Sequence, residues 1–293
     1  MTETIFAQNA YLALPGRGVA GLMLALAAAA LAWRSGSLDR NGFVAATACG
    51  TLCAIAGWNW AALLILYFVA ASVLSRVGHE EKEAATRSMV SKSGKRDAAQ
   101  VLANGGLYSL AAVLAAGLPI PHMASHMASY MAWGAVGALA AASADTWATE
   151  IGVWLGGRPK SIVTGTNVQL GESGGVTFAG TLGSIAGAAW VALAAVLLGF
   201  PRGLGIASMV AGVGGSVADS VLGATIQERR WCDACGEPTE RAVHPCGSAT
   251  RRAGGIQRVD NDVINLLSTF AGFLLGVIVY CITRRAGNWG AID

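Results

Sequence analysis

Long apolar stretches separated by short polar segments dominate the chain. About eight of them approach the roughly 20 residues that a helix needs to cross the hydrocarbon of a bilayer. They cover residues 17–33, 42–57, 59–77, 98–118, 128–153, 176–199, 203–226 and 263–283. The pattern predicts an all-α fold, a polytopic transmembrane helix bundle that forms one integral membrane domain over residues 1–293.

Two of these stretches leave the number of spans open. Only Gly57-Trp58-Asn59-Trp60 separates the second stretch from the third, and this segment is compatible with a turn or with a kink in one helix. A kink would reverse the orientation of everything upstream. The first stretch is expected to stay as a span rather than to be removed as a signal peptide, because Trp33-Arg34 follows the small residues Ala27–Ala30 closely and full-length helices come after it.

Composition supports a membrane environment. The chain is 54% apolar and 13% charged, whereas soluble domains average about 25% charged residues. Its 39 glycines would weaken soluble helices, but small residues allow close helix packing in lipid. A net charge of +3, without a basic patch laced with aromatic residues, argues against nucleic acid as a partner.

The basic residues predict an orientation. Sixteen of the twenty Lys and Arg residues lie in or beside the loops 34–41, 78–97, 154–175 and 227–262. By the positive-inside rule these loops face the cytoplasm, in a bacterial inner membrane or its equivalent. Four arginines fall on the other side, and the pair Arg284 and Arg285 after the last span is the one local exception.

Carboxylates inside spans are costly and usually mark a site. Asp145 and Glu150 lie near the inner end of the fifth span, and Asp219 lies at a similar depth in the seventh. The two segments share Ala-Asp-Thr/Ser, which suggests a parallel internal repeat of two-helix units. Small neighbours would let Asp145 and Asp219 face one pocket and hold Mg²⁺ on phosphate oxygens. The alternative is a pair of carboxylates that serve helix packing.

Further polar residues enter spans from the same side. Asp262 and Asn265 are three residues apart and share a helix face, whereas Asp260 is expected to cap that helix. Asn104 lies a turn or two inside the fourth span.

The loop before the sixth span ends in Gly174-Gly175, which could present backbone N–H groups to a phosphate at a helix start or could form a plain turn. Lys95, Arg96 and Lys160 are candidates for pairing with phosphates, or they are solvated positive-inside residues.

The cytoplasmic loop 228–258 carries four residues with zinc-ligand chemistry. Cys232 and Cys235 are followed by His244 and Cys246, a closed set of three thiolates and one imidazole. This set predicts a structural Zn²⁺ site, and reduced thiols without metal are the alternative. The other three cysteines lie on apolar spans, and no disulfide framework is implied.

Several motif blocks resemble one known family. Neither a Gly-x4-Gly-Lys-Ser/Thr phosphate loop nor the protein-kinase, His-Glu-x2-His or Gly-x-Ser-x-Gly motifs occur in the sequence. Instead, blocks across residues 20–285 resemble the polytopic membrane family that includes plant phytyl-phosphate kinase. The blocks are Lys92–Gly106, Ala141–Gly152, Gly174–Gly187, Gly214–Gln227 and Asn261–Gly272.

The resemblance implies a kinase that uses a nucleoside triphosphate, CTP above all, to convert an isoprenyl monophosphate such as phytyl or geranylgeranyl phosphate to the diphosphate. It supports as site residues Asp145, Thr149, Glu150, Asp219, Asn261 and Asp262.

We hypothesise catalytic roles for Asp145, Glu150, Asp219 and Asp262. The hypothesis assigns substrate and phosphate binding to Lys95, Arg96, Asn104, Thr149, Lys160, Gly174, Gly175, Asn261 and Asn265. The rival functions are a carrier or flippase of polyprenyl phosphate or another anion, and a scaffold that docks partners through the Cys/His loop. The sequence does not indicate an oligomeric state.

Overall fold

The computed structural model describes the backbone of residues 2–92, 94–117 and 125–285, and the side chains of 16–92, 94–117 and 127–285. The helices in these ranges are α1 Thr2–Arg34, α2 Arg40–Ala56, α3 Trp58–Arg76, α4 His79–Thr86, α5 Ala98–Ala115, α6 Ser125–Trp154, α7 Phe178–Leu197, α8 Arg202–Thr225 and α9 Asn261–Arg285. The short strands are β1 Lys160–Ser161, β2 Gly175–Val176, β3 Arg229–Cys232, β4 Glu237–Thr239 and β5 Arg251–Gly254.

The helices confirm the predicted polytopic bundle. Within the described residues, seven helices are long and apolar enough to cross a membrane, namely α1, α3, α5, α6, α7, α8 and α9. The remaining predicted stretch, 42–57, corresponds to α2. Its 17 residues make it slightly shorter than the other seven, at about 25 Å.

The segment around Gly57 is a turn and not a kink. Gly57 ends α2 and begins α3 with a φ of 154°, a backbone conformation that residues with a Cβ rarely adopt. Beside the turn, Tyr108 donates a hydrogen bond to the carbonyl of Trp60 at 2.8 Å. At its other end α3 returns to the start of α2, where Arg76 donates to the Ser37 hydroxyl at 2.7 Å.

Helix α6 is the centre of the bundle and packs against α3, α4, α5, α7, α8 and α9. In the 18-residue apolar stretch of α6, 67% of the residues are buried, against 22% in the corresponding stretch of α9. Small residues make this packing possible. At the crossing of α6 and α9, a Cβ added to Gly272 would lie only 2.7 Å from the carbonyl oxygen of Gly137.

The contacts of α6 show in which direction its neighbouring helices run. Trp133 near the start of α6 packs on Tyr280 near the end of α9, with ring centroids 5.1 Å apart, so these helices are antiparallel. Gly212 and Gly215 of α8 face Ala140 and Ala141 of α6 in the same order, so these two run in parallel. Asp145 and Asp219 therefore approach the same end of the bundle. An internal repeat of two-helix units stays a prediction.

The polar loops gather at that end, which we call the loop end and define by the segments 35–39, 77–97, 155–177 and 226–260. There α4 and two small antiparallel sheets form, a β1–β2 pair and a three-stranded sheet of order β4-β3-β5. The loops contact one another: the Arg96 amide donates to Ser37, and the Glu240 amide donates to Met89. The four basic loops that were predicted to share a side are thus together.

Large apolar side chains cover the outward helix faces, as lipid contact requires. Leu31, Leu110, Leu193 and Leu197 are all more than half exposed. A water-exposed surface of this kind would be unusual for a soluble domain.

We expect Gly272→Ala to lower the melting temperature of the detergent-purified protein. The extra methyl overpacks the α6–α9 crossing, at a cost of typically 1–3 kcal/mol. Gly106→Ala is the matched control, because a Cβ there meets only ordinary contacts with Leu102 at 3.6 Å or more. Both changes raise helix propensity, by about 1 kcal/mol. Equal stabilisation of the two variants would refute the close approach.

The orientation predicted from the basic loops can be measured with a membrane-impermeant maleimide and peptide mapping. Arg87→Cys, at the loop end, should react in inside-out vesicles but not in right-side-out vesicles. Arg202→Cys, at the opposite end, should show the reverse, since both positions are exposed. The opposite pattern would place the loop end outside the cell.

Candidate functional site

A cavity of about 890 Å³ opens into the loop end of the bundle. Residues from α3 to α9 and from the loops line it. It reaches Asp145, which lies nine residues before the end of α6, and hence about 14 Å into the helix. The cavity therefore extends from the loop end partway into the spanning region, on one side of the membrane.

The two predicted aspartates meet in this cavity. The carboxyl groups of Asp145 and Asp219 lie close enough to interact directly, and Ser268 of α9 lies beside Asp219. The Oδ2 atom of Asp219 is buried and has no hydrogen-bond partner among the described residues. Two carboxylates can stay this close only if they share a proton or a cation. Asp219 thus has an oxygen available for such a cation.

Asp262 is a second carboxylate with a free oxygen. Its Oδ2 pairs with the ammonium group of Lys92, whereas its Oδ1 is buried without a hydrogen-bond partner among the described residues. Lys92 also pairs with Asp97 at 2.7 Å. Although partial burial lowers the pKa of Lys92, the hydrogen bonds to Asp262 and Asp97 outweigh it and raise the pKa above its usual value. Asp260 caps α9 as expected, because its Oδ1 accepts from the amides of Asp262 and Val263.

Glu150 is already paired on both oxygens. Lys82 of α4 forms a salt bridge with its Oε2, and the Ser75 hydroxyl donates to its Oε1 at 2.5 Å. The Lys82 side chain is only 9% exposed, and it also donates to the carbonyl of Leu74. This arrangement fits a structural link between α4, α3 and α6 better than a metal ligand, because no oxygen of Glu150 is left free.

Arg96 points into the cavity without a carboxylate partner. Its Nη1 donates to the Ser72 hydroxyl at 3.1 Å and its Nη2 to the Ser75 hydroxyl at 3.4 Å. Its guanidinium lies 5.4 Å from the centroid of the Phe68 ring. No salt bridge neutralises it among the described residues, so its charge is available to an anion.

The predicted polar neighbours Asn104, Thr149, Asn261 and Asn265 all line the same cavity. Asn265 is buried, and Thr149 is exposed toward the cavity space. The Asn104 amide donates to the Gln100 carbonyl at 3.0 Å. The structure therefore brings together side chains from α5, α6 and α9 that lie up to 161 residues apart in the sequence, from Asn104 to Asn265.

Of four other predicted phosphate-binding residues, two lie outside the cavity and two line it as part of a turn. Lys95 and Lys160 do not line the cavity, and both side chains are exposed. Gly174 and Gly175 do line it, but the Gly175 amide donates to the Glu172 carbonyl at 3.0 Å. Gly174 has a φ of 80°, and a side chain there would collide with Ala224 of α8. These glycines form a tight turn packed on α8, and the Gly175 amide is not free for a phosphate.

Glu240 lines the cavity although it comes from the Cys/His loop. Its Oε1 accepts hydrogen bonds from the Ser173 hydroxyl at 2.6 Å and from the Gln227 amide at 2.7 Å. Burial raises the pKa of its carboxyl group above the usual value. Sequence reasoning missed Glu240, Lys82 and Lys92, because charged residues in polar loops carry no signal until the fold shows which of them turn inward.

The charges that line the cavity favour a cation. Among the described residues it is lined by eight carboxylates and only four Lys or Arg side chains. A phosphate alone would meet net repulsion here, whereas a divalent ion would be attracted. The free oxygens of Asp219 and Asp262 are hard ligands of the kind that Mg²⁺ prefers. These residues fit a magnesium ion that accompanies a phosphate.

The Cys/His residues form a second, separate cluster. Ligand atoms of Cys232, Cys235, His244 and Cys246 all lie within 4.8 Å of one another. A hydrogen bond from Ser248 lowers the pKa of Cys246 to about 6, and the interaction with Cys246 raises the pKa of Cys235 to about 12. The four residues that were predicted to bind zinc are therefore together at one point.

We expect Glu150→Gln to destabilise the protein, because it leaves Lys82 as a buried cation without its partner. Breaking a buried pair in this way costs about 3–5 kcal/mol. The double variant Lys82→Met, Glu150→Gln should recover most of the loss in thermal unfolding. Asp233→Asn is the control, since its pair with Arg251 is well exposed and should be worth less than about 1 kcal/mol. No recovery in the double variant would contradict a structural pair.

Comparison with known proteins places the chain among membrane proteins. Residues 23–273 match the family model described as Integral membrane protein DUF92. The chain is 30% identical over 266 residues to Protein PGR of Arabidopsis thaliana. This alignment covers 83% of this chain and 91% of that protein. It is 28% identical over 249 residues to an uncharacterized membrane protein of Methanocaldococcus jannaschii, over 85% of this chain and 88% of that protein.

A third relative, an uncharacterized membrane protein of Synechocystis, is 32% identical over 178 residues, which is 59% of this chain and 65% of that protein. No solved structure matches the chain significantly. The family match covers every residue that lines the cavity, and it confirms the polytopic membrane family that the motif blocks predicted. The chain belongs to the integral membrane protein DUF92 family.

Proposed function

We propose that this protein is a kinase that transfers a phosphoryl group from a nucleoside triphosphate, CTP above all, to an isoprenyl monophosphate. The observation that carries the proposal is the contact between Asp145 and Asp219, inside an acid-rich cavity that also holds an unneutralised arginine. The resemblance of the motif blocks to the family with phytyl-phosphate kinase supplies the substrate class.

The cavity suits a substrate with a polar head and a lipid tail. Its polar lining lies at the loop end, where a soluble nucleotide can enter from water. The apolar helix faces around it are exposed to lipid, where a prenyl tail would lie. A carrier is expected to bind near the bilayer midplane, whereas the charged residues here cluster toward one side.

Five charged groups of the cavity have roles in the proposed reaction. Asp219, Asp145 and Asp262 would hold Mg²⁺, which neutralises negative charge on the transferred phosphoryl group. Arg96 would bind phosphate oxygens through the N–H groups that it now directs at Ser72 and Ser75. Lys92, on the loop at the cavity rim, would exchange its contact with Asp262 for one with a phosphate.

The chemistry needs little from a general base. An oxygen of the acceptor monophosphate attacks the terminal phosphorus of the nucleotide, and the bond to the bridging oxygen breaks, which releases the nucleoside diphosphate. A phosphate monoester has a second pKa of about 6 and is largely dianionic near neutral pH. Positioning and charge neutralisation are therefore the main contributions asked of the protein.

The test is an assay of the detergent-purified protein with phytyl or geranylgeranyl monophosphate and CTP or ATP labelled at the terminal phosphate. We expect labelled isoprenyl diphosphate that depends on added Mg²⁺. Asp145→Asn and Asp219→Asn should each reduce the rate by about 100-fold or more, as the loss of a group that stabilises the transition state usually does.

Asp39→Asn is the matched control for these two variants. Asp39 does not line the cavity, and its side chain caps α2 by accepting from the Gly42 amide at 2.6 Å, a task that Asn performs equally well. Its rate should equal that of the unaltered protein. Movement of prenyl phosphate across reconstituted vesicles without diphosphate formation would refute the kinase and support a carrier.

A further inference from the structure

The Cys/His cluster has the dimensions of a tetrahedral zinc site. The sulfurs of Cys232 and Cys246 are 3.7 Å apart, and the Nδ1 atom of His244 lies 3.5 Å from the sulfur of Cys235. Zinc binds thiolate at about 2.3 Å and imidazole at about 2.1 Å, so tetrahedral ligands lie about 3.8 Å apart for two sulfurs and about 3.6 Å for sulfur and nitrogen. These two separations match both values, and a third, 3.2 Å between the Nδ1 atom of His244 and the sulfur of Cys246, is about 0.4 Å shorter than the tetrahedral value.

The backbone around the cluster consists of two tight turns. The Gly236 amide donates to the Cys232 carbonyl at 2.8 Å, and the Gly247 amide donates to the His244 carbonyl at 2.8 Å. Each turn therefore brings its two ligands to one point. On the far side of the imidazole, Glu237 lies 3.9 Å from the Nε2 atom of His244. A carboxylate in this position is typical of the outer shell of a metal-bound histidine.

The loop has little else to stabilise it. Its three strands contain four, three and four residues. In the segment 227–260, Cys232 is the one apolar side chain among the described residues that is fully buried. A sheet this small without an apolar core normally needs a metal or a disulfide to hold its shape.

The same loop delivers a residue to the cavity. Strand β4 pairs with β3, with Glu237 opposite Cys232 and Thr239 opposite Arg230. At the end of β4 the Thr239 hydroxyl donates to the Ser88 carbonyl at 2.6 Å, and directly after the strand the Glu240 amide donates to the Met89 carbonyl at 2.9 Å. The position of Glu240 at the cavity rim thus depends on a strand that is held next to Cys232.

We propose that Cys232, Cys235, His244 and Cys246 bind one zinc ion, and that this ion fixes the strand that places Glu240 at the cavity. The site has four protein ligands and no open position, so the ion is structural. Binding replaces the thiol protons, which are released to solvent. The inference does not depend on which reaction the cavity performs.

The first measurement is the metal content of protein purified without chelator. We expect about one zinc per chain in the unaltered protein and in Cys281→Ser, whose cysteine lies on α9 away from the loop. Cys235→Ser and Cys246→Ser should lose the metal, and both residues are exposed, so the substitutions do not disturb a core. Absence of bound metal in the unaltered protein, or iron in place of zinc, would overturn the assignment.

The second measurement tests the connection to the cavity by hydrogen exchange. A zinc chelator added to the unaltered protein should speed exchange of the amides in 237–241 by about tenfold or more, including the Glu240 amide bonded to Met89, and added zinc should restore protection. Amides in the middle of α7 provide the internal control. Stoichiometric zinc with unchanged exchange at Glu240 would refute the connection, and this design needs neither a variant nor an activity.

Discussion

Carboxylates inside a lipid-embedded bundle are costly unless a charge, a proton or a hydrogen bond compensates each of them, and the structure of this protein follows from that constraint. Glu150 is compensated by Lys82, and Asp262 by Lys92. Among the described residues neither Asp145 nor Asp219 forms a salt bridge, and the two carboxyl groups face each other, with Ser268 beside Asp219. This difference separates the pair of aspartates from the ordinary ion pairs around it, and it is the physical reason to place a cation beside them.

The constraint can be met only because the helices approach one another closely. Small residues along α6, α8 and α9 reduce the distance between backbones, and Gly272 and Gly137 touch at the α6–α9 crossing. Parallel α6 and α8 then direct Asp145 and Asp219 at the same point from two sides. The tight core and the polar cavity are therefore two consequences of one arrangement of glycine and alanine.

The loops and the short helix α4 supply further charged residues to the cavity. Short helix α4 supplies Lys82, the segment before α5 supplies Lys92 and Arg96, and the Cys/His loop supplies Glu240. These segments bond to one another through backbone groups, such as Glu240 to Met89. The rim of the cavity is thus built from polar segments that have almost no apolar core, which explains why a metal-stabilised loop at this place would matter for the site.

The sequence by itself determined the spans, the grouping of basic loops and the two aspartates, because each is a local pattern of hydropathy or charge, whereas the structure decided that Gly57 makes a turn and not a kink. It also indicated Asp260 as a cap and the four Cys/His residues as a group, since their spacing is short. Only the tertiary structure decided that Glu150 is neutralised by Lys82, 68 residues away, and Asp262 by Lys92, 170 residues away. It also turned Lys95 and Lys160 away from the cavity and brought Glu240 into it. Partners so far apart in sequence are chosen by how helices and loops pack, and no local pattern of residues encodes that packing.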